Sequence, residues 1–310
     1  MKAAFFTTLA AAALASAAPT QNQKRAAPGQ ADIDTVILNY ALTLEHLEAV
    51  FYAEHLPSKK AFKKAGYPSW VRERFIEIGG HEKNHVNFLS GALGDQAVQK
   101  CEYNFGLTDV NSFVATSQLL EGVGVSAYLG AAQNITNVAY LTAAGSILTT
   151  EARHSAWVQS GAAKSDPAGS PYDTPLNFNQ TFSLAAPLIV KCPDSNAALP
   201  VTAFPAATIS PAPKKLGATF HVKADNLSGG EQFGFISGLS TVIVPINNGK
   251  VTMPDSIGYG RTYGIVLKSG ASTINDDNTV AGPVVIDILP SSSVGAAYAQ
   301  NNRKIGQPIA

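Results

Sequence analysis

Charge is scarce in this chain and evenly signed. Lys and Arg number 22, Asp and Glu 22, and only 14% of residues are charged. Without a basic excess there is no electrostatic footprint for nucleic acid, which is excluded as a partner. Cysteine is nearly absent: Cys101 and Cys192 are the only two, and neither belongs to the ligand pattern described below, which argues against structural zinc and iron–sulfur clusters. Past the first twenty residues no apolar run approaches the ~20 residues needed to cross a bilayer, so no membrane span is expected. Proline is missing from a long stretch, with none between Pro68 and Pro167, which leaves room for long helices. What is present is a 45% hydrophobic chain of 310 residues, enough for two ordinary domains.

The N-terminus stands apart. Met1-Lys2 is a short basic start, residues 3–15 are an apolar run of Ala, Phe and Leu, and Ser16-Ala17-Ala18 offers small residues for cleavage. This pattern reads as a signal peptide over 1–18. Residues 19–29 then form a propeptide or disordered linker, with Lys24-Arg25 as a second processing site. The expected destination is secretion, to the extracellular space or cell wall. Export suits a disulfide between Cys101 and Cys192. It also suits N-glycosylation at the sequons that begin at Asn134, Asn179 and Asn226.

Near residue 165 the chain changes character. Before it, apolar residues recur at helical spacing. The segment 165–171, Ser-Asp-Pro-Ala-Gly-Ser-Pro, is turn-rich. After it, short β-branched runs alternate with Gly, Pro, Asn and Ser. The expected fold is therefore multi-domain α and β: a four-helix bundle over 30–165, a linker over 166–182, a β-sandwich of immunoglobulin-like type over 183–290, and a flexible tail over 291–310. Strands are expected around 218–224, 240–246, 262–268 and 283–289, with 240–246 and 283–289 buried on both faces or nearly so. Helices are expected over 32–55, 69–93, 109–133 and 138–160. Each is long enough to cross a bundle about 30 Å tall.

Those four helices carry an ordered set of ligand-type residues: Glu45, then Glu82 and His85, then Glu121, then Glu151 and His154. The order is Glu, ExxH, Glu, ExxH. A carboxylate from each of two helices and an ExxH from each of the other two is the ligand pattern of a bundle that holds two metal ions in its core. Positions i and i+3 project from one side of a helix, so each Glu can bridge two ions while its His caps one. At 100° per residue, Val71, Phe75, Ile78, Val86, Leu89 and Leu93 lie within roughly 40° of Glu82, which places that carboxylate inside an apolar stripe. Leu38, Ala41, Ala49, Tyr52 and Leu56 gather similarly around Glu45. A carboxylate buried alone is very costly, and a pair of divalent cations removes that cost. Carboxylate with imidazole suits iron or manganese. Tyr52 follows Glu45 by seven residues and Tyr128 follows Glu121 by seven. Each phenol is placed to hydrogen-bond a ligand carboxylate or act as a redox neighbour, and each could equally be a core tyrosine with a satisfied hydroxyl. His81 flanks the site, and His46 is placed on a polar edge with Asn39.

The stretch Asn39-Tyr-Ala-Leu-Thr-Leu-Glu-His-Leu-Glu-Ala-Val-Phe-Tyr52, with Gly80-His-Glu-Lys-Asn-His85, resembles the ferritin-like superfamily. In particular it is similar to a branch that includes desiccation-related proteins and a fungal subset of secreted proteins named for stress response or late sexual development. The resemblance covers about residues 30–165 at motif level. It implies two iron or two manganese ions held by Glu45, Glu82, Glu121 and Glu151 with His85 and His154. Glu48, one turn from Glu45, competes for the first place.

Three functions are compatible with this reading. One is a secreted protein of oxidative or desiccation stress or sexual development that oxidises ferrous ion with oxygen or peroxide. The second is a peroxide-disproportionating enzyme of the manganese catalase type. The third is a non-catalytic structural or cell-wall stress protein with a vestigial metal site, whose β domain binds a cell-wall or protein partner.

Overall fold

The computed structural model describes residues 32–288 except Asn226. The expected signal peptide, the propeptide or linker, the C-terminal tail and the Asn226 sequon lie outside the described residues. The helical half contains α1 (Ile33–His55), a short α2 (Lys59–Lys64), α3 (Ser69–Leu93), α4 (Val110–Ala131) and α5 (Val138–Trp157). Local chemistry sets their ends. Leu56, which precedes Pro57, is extended (φ −64°, ψ 117°) and stops α1. Asp109 accepts from Ser112 N at 2.8 Å to open α4. Asn137 caps α5. α3 opens at Ser69, the expected first residue, and ends at Leu93, the expected last. A single π-turn, Val158–Ala162, continues α5.

α1 packs along α3 and α4 along α5. Below the site lies an aromatic core in which Phe51 stacks on Phe113 at 4.6 Å, with Phe62, Phe75 and Ile78 around them. The stripe expected on α3 is observed: Val71, Phe75, Ile78, Glu82, Leu89 and Leu93 are all buried.

The expected linker at 166–182 and the expected start of the β domain at 183 fall differently in the structure. A helix, α6 (Phe178–Ala185), spans that boundary. Asn177 and Gln180 form its capping box, a signature readable in the sequence but hidden in a turn-rich stretch. After α6, β2 (Ile189–Lys191) pairs with β1 (Glu102–Tyr103) of the helical half. The Cys101–Cys192 disulfide, expected from the sequence, fastens this join. It closes a loop of 91 residues, for which chain entropy alone gives about 4–5 kcal/mol of stabilisation.

The sandwich begins at β3 (Ala207–Ser210) and continues with β4 (Thr219–Ala224), β5 (Gln232–Ser237), β6 (Ser240–Pro245), β7 (Lys250–Thr252), β8 (Gly260–Leu267) and β9 (Thr279–Ile288). Its antiparallel sheets have orders β3-β4-β7 and β6-β5-β8-β9. The first, second and fifth of these strands form one sheet and the third, fourth, sixth and seventh the other, an immunoglobulin-like arrangement. Phe220 and Val222 of one sheet meet Phe233, Phe235 and Val266 of the other. β6 departs from expectation. It is an edge strand of its sheet, paired with β5, and its residues are exposed or half-buried. Pro245, which cannot donate to a ladder, is tolerated at such an edge.

β8 is buried on both faces. Val266 faces the sandwich core, while Tyr263, Ile265 and Leu267 pack with Leu176 and Leu184 toward the bundle. Arg261 completes the join. Its Nε and Nη2 donate to Asp287 at 2.9 and 3.0 Å, and its Nη1 donates to the carbonyls of Gln118 and Leu119 on α4. A side chain at Gly122 would meet that guanidinium at 1.8 Å, so any larger residue there would have to displace Arg261 from its contacts with α4.

Candidate metal centre

All four carboxylates of the sequence pattern, Glu45, Glu82, Glu121 and Glu151, are fully buried, and His154 is 5% exposed. Each comes from a different helix. The structure brings them together with both histidines as two overlapping groups. Glu45, Glu82, His85 and Glu151 form one; Glu82, Glu121, Glu151 and His154 form the other, with ligand atoms in each group within 4.8 Å of one another. Glu82 and Glu151, the two ExxH carboxylates, belong to both groups. They are therefore the two carboxylates within reach of both groups.

The two imidazoles point their Nδ1 atoms inward. His85 Nδ1 lies 3.1 Å from Glu45 Oε2, 3.0 Å from Glu82 Oε2 and 3.3 Å from Glu151 Oε1. His154 Nδ1 lies 3.0 Å from Glu82 Oε1 and 3.1 Å from Glu121 Oε2. Neither oxygen of Glu151 has a hydrogen-bond partner, and Glu82 Oε1 faces His154 without hydrogen-bond alignment. Buried oxygens are rarely left without a partner. Orphaned, deeply buried oxygens among ligand atoms gathered within 4.8 Å fit a cation, and a carboxylate–imidazole donor set fits iron or manganese. The cluster is thus compatible with a di-metal site.

The protonation pattern of the protein alone tells the same story. Burial opposes charge on His85, but Glu45 and Glu82 outweigh it and lift the imidazole to about 10. His154 is lifted to about 9 against burial, by Glu121 and Glu82. Burial raises Glu45 to about 7 and holds Glu151 well above the carboxylate range. Glu82, although buried, is pulled down to about 2 by the two imidazoles. Without ions, protons on these groups supply the positive charge that the carboxylates need.

The tyrosines cross over. Tyr52 of α1 donates to Glu121 Oε1 of α4 and sits 2.6 Å from Ser117 Oγ. Tyr128 of α4 donates to Glu45 Oε1 of α1. Each repeat's phenol therefore holds the other repeat's carboxylate. Burial first, and then the neighbouring carboxylates, keep both phenols well above their usual range, so both remain donors. His81, read from the sequence only as a flanking neighbour, places Nδ1 2.8 Å from His154 Nε2. His46 contacts the carbonyl of Val98 at 3.1 Å, and Asn39 is buried, bonded to Gln96 and Val98. The polar edge expected there is the seat of the 94–98 turn.

Sequence reasoning weighed Glu48 as a rival to Glu45. The structure buries both, so they do not exchange places. Of the sequons, Asn134 is exposed. Asn179 differs: it lies on α6, its Nδ2 donates to Asp276 and its Oδ1 accepts from Thr202 N. The amide that would carry a sugar is engaged in the fold, which sequence spacing could not reveal.

Residues 33–164 match the family model described as the ferritin-like domain. The helical half of this chain is a ferritin-like domain, followed by antiparallel β sheets. The chain is also similar to protein rds1 of Schizosaccharomyces pombe, 28% identical over 181 residues, a match that covers 56% of this chain and 44% of rds1. The chain thus spans less than half the length of the curated relative it matches.

Proposed function

We propose that this protein is a secreted di-metal redox protein that holds two iron or two manganese ions and consumes oxygen or peroxide, in oxidative or desiccation stress or in sexual development. The observation that carries the reading is the sharing of Glu82 and Glu151 by both ligand groups, with both oxygens of Glu151 and Oε1 of Glu82 lacking a hydrogen-bond partner. The family resemblance supplies the physiological setting. The apolar run at 3–15 and the Cys101–Cys192 bridge support an oxidising, extracellular destination.

A bound pair of such ions supplies two single-electron equivalents side by side. The chain's own residues do the rest. Glu45 and His85 would hold one ion and Glu121 and His154 the other, with Glu82 and Glu151 available to both. Tyr52 and Tyr128 hold protons at their phenol oxygens and fix the terminal carboxylates Glu121 and Glu45. The aromatic core beneath them excludes water. The sandwich is read as a spacer or binding module for a cell-wall or protein partner. Among its described residues no metal-ligating cluster is present.

Glu82→Ala and Glu151→Ala test the reading. Each is expected to remove bound metal together with ferrous-ion oxidation and peroxide consumption. Retention of either activity in both variants contradicts it.

A further inference from the structure

The two halves of the site are not equivalent, and the inequality lies in one pair of positions. α1 reads Glu45-x-x-Glu48-x-x-x-Tyr52, and α4 reads Glu121-x-x-Gly124-x-x-x-Tyr128. The offsets are identical, so Glu48 and Gly124 are counterparts. Glu48 is 4% exposed. A Cβ placed on Gly124 would lie 3.4 Å from Glu48 Oε1 and 2.9 Å from Glu151 Oε2. The carboxylate of α1 therefore reaches into the space that α4 leaves open, next to a bridging carboxylate.

No hydrogen bond or ion pair engages the Glu48 side chain among the described residues. Glu48 and Gly124 both border a small hollow of about 20 Å³, lined otherwise by apolar residues such as Leu44, Leu47, Val123 and Leu184. That surface offers neither donor nor cation. A buried carboxylate with no partner is strongly unfavourable, and the orphaned oxygens of Glu151 beside it add to the deficit. A cation held at Glu151 would relieve both.

We propose that Glu48 is a fifth carboxylate of the metal centre, engaging the ion pair from the α1–α4 side through the space kept open by Gly124. This rests on the di-metal reading above. Four carboxylates balance two divalent ions; a fifth makes the centre more favourable to ions of higher charge. It also makes the two ion positions unequal, since only one helix pair supplies it.

The test is anaerobic titration of the metal-free full-length chain with cobalt(II), followed by its visible absorption and by calorimetry, for wild type, Glu48→Gln and Glu48→Ala. Wild type is expected to bind two ions. Both variants are expected to weaken at least one binding step by about tenfold or more, the scale on which even outer partners of metal ligands act. Their metal-free melting temperature should stay level or rise, which separates a ligand from a residue needed for folding. Two ions bound with wild-type affinities in either folded variant overturn the proposal alone. A wild type that binds no ion overturns the di-metal reading and the proposal with it.

Discussion

The bundle and the sandwich bury opposite kinds of interior. The sandwich encloses Phe220, Phe233, Phe235 and Met253, all fully buried, in an apolar core. The bundle encloses four carboxylates at 0% exposure, with Glu48 and His154 nearly as deep. An apolar core stabilises by removing surface from water, about 25 cal/mol per Å². Buried carboxylates do the reverse unless something positive joins them. One half of the chain is therefore built for stability. The other gives up stability to hold ligands in place and depends on its aromatic floor, the disulfide and the sandwich beside it.

The largest effect should come from the apolar half. Phe235→Ala is expected to cost about 3–5 kcal/mol, as for other buried aromatics, while the metal stoichiometry of the folded protein stays unchanged. Chemical denaturation with metal analysis of the native fraction checks both. Loss of metal at full folding would break the division between the two halves.

A substitution in the ligand half should have the opposite sign. Glu151→Leu removes an unpartnered buried carboxylate and is expected to stabilise the metal-free protein, by about 1–3 kcal/mol, while abolishing metal binding. Calorimetric melting of both metal-free forms decides the sign. A lower melting temperature in the variant would mean that Glu151 contributes to the fold directly.

The pH dependence sharpens the same contrast. Glu45, Glu48, Glu151, His85 and His154 all bind protons more tightly in the folded, metal-free protein than their ordinary values of 4.5 and 6.5 imply. For groups with raised values, stability is fully present below the unfolded value and lost as pH rises through the folded one. Glu45 loses it toward about 7, His154 toward about 9 and His85 toward about 10. Glu82 runs the other way between 4.5 and about 2, and His46 and His81, both lowered by burial, run the other way below 6.5, where the larger set of raised groups outweighs them. The metal-free melting temperature should therefore fall between about pH 5 and about pH 9, whereas metal affinity rises over that range as ions displace protons. A flat profile would place the protons elsewhere.

The smallest effect is expected at Tyr52→Phe, which removes the donor to Glu121. A loss of about 1 kcal/mol is expected, together with a weaker hold on one ion and no change in the number bound. Isothermal titration resolves the two.

The sequence carried the bundle well because α1, α3, α4 and α5 repeat their apolar positions over many turns, and Glu82 could be placed on a buried stripe by angle alone. It carried less where the deciding neighbour lies on another helix. The crossed pairs Tyr52–Glu121 and Tyr128–Glu45 depend on how α1 meets α4. Glu45 and Glu48 lie about 60° apart on one helix, so periodicity admits either; only the vacancy at Gly124 shows why both can be inside. α6 is too short for periodicity to announce, and the β-branched run of β6 does not disclose that it ends a sheet. The docking of the sandwich on the bundle rests on Arg261, Tyr263 and Gly122, three residues whose partnership no local pattern encodes.

Metal content of the full-length protein purified from its native source is the most direct test of the proposed di-metal centre. Elemental analysis is expected to find about two iron or manganese ions per chain, both lost from Glu82→Ala. A natively purified protein that carries neither metal and cannot be loaded with either would contradict the account.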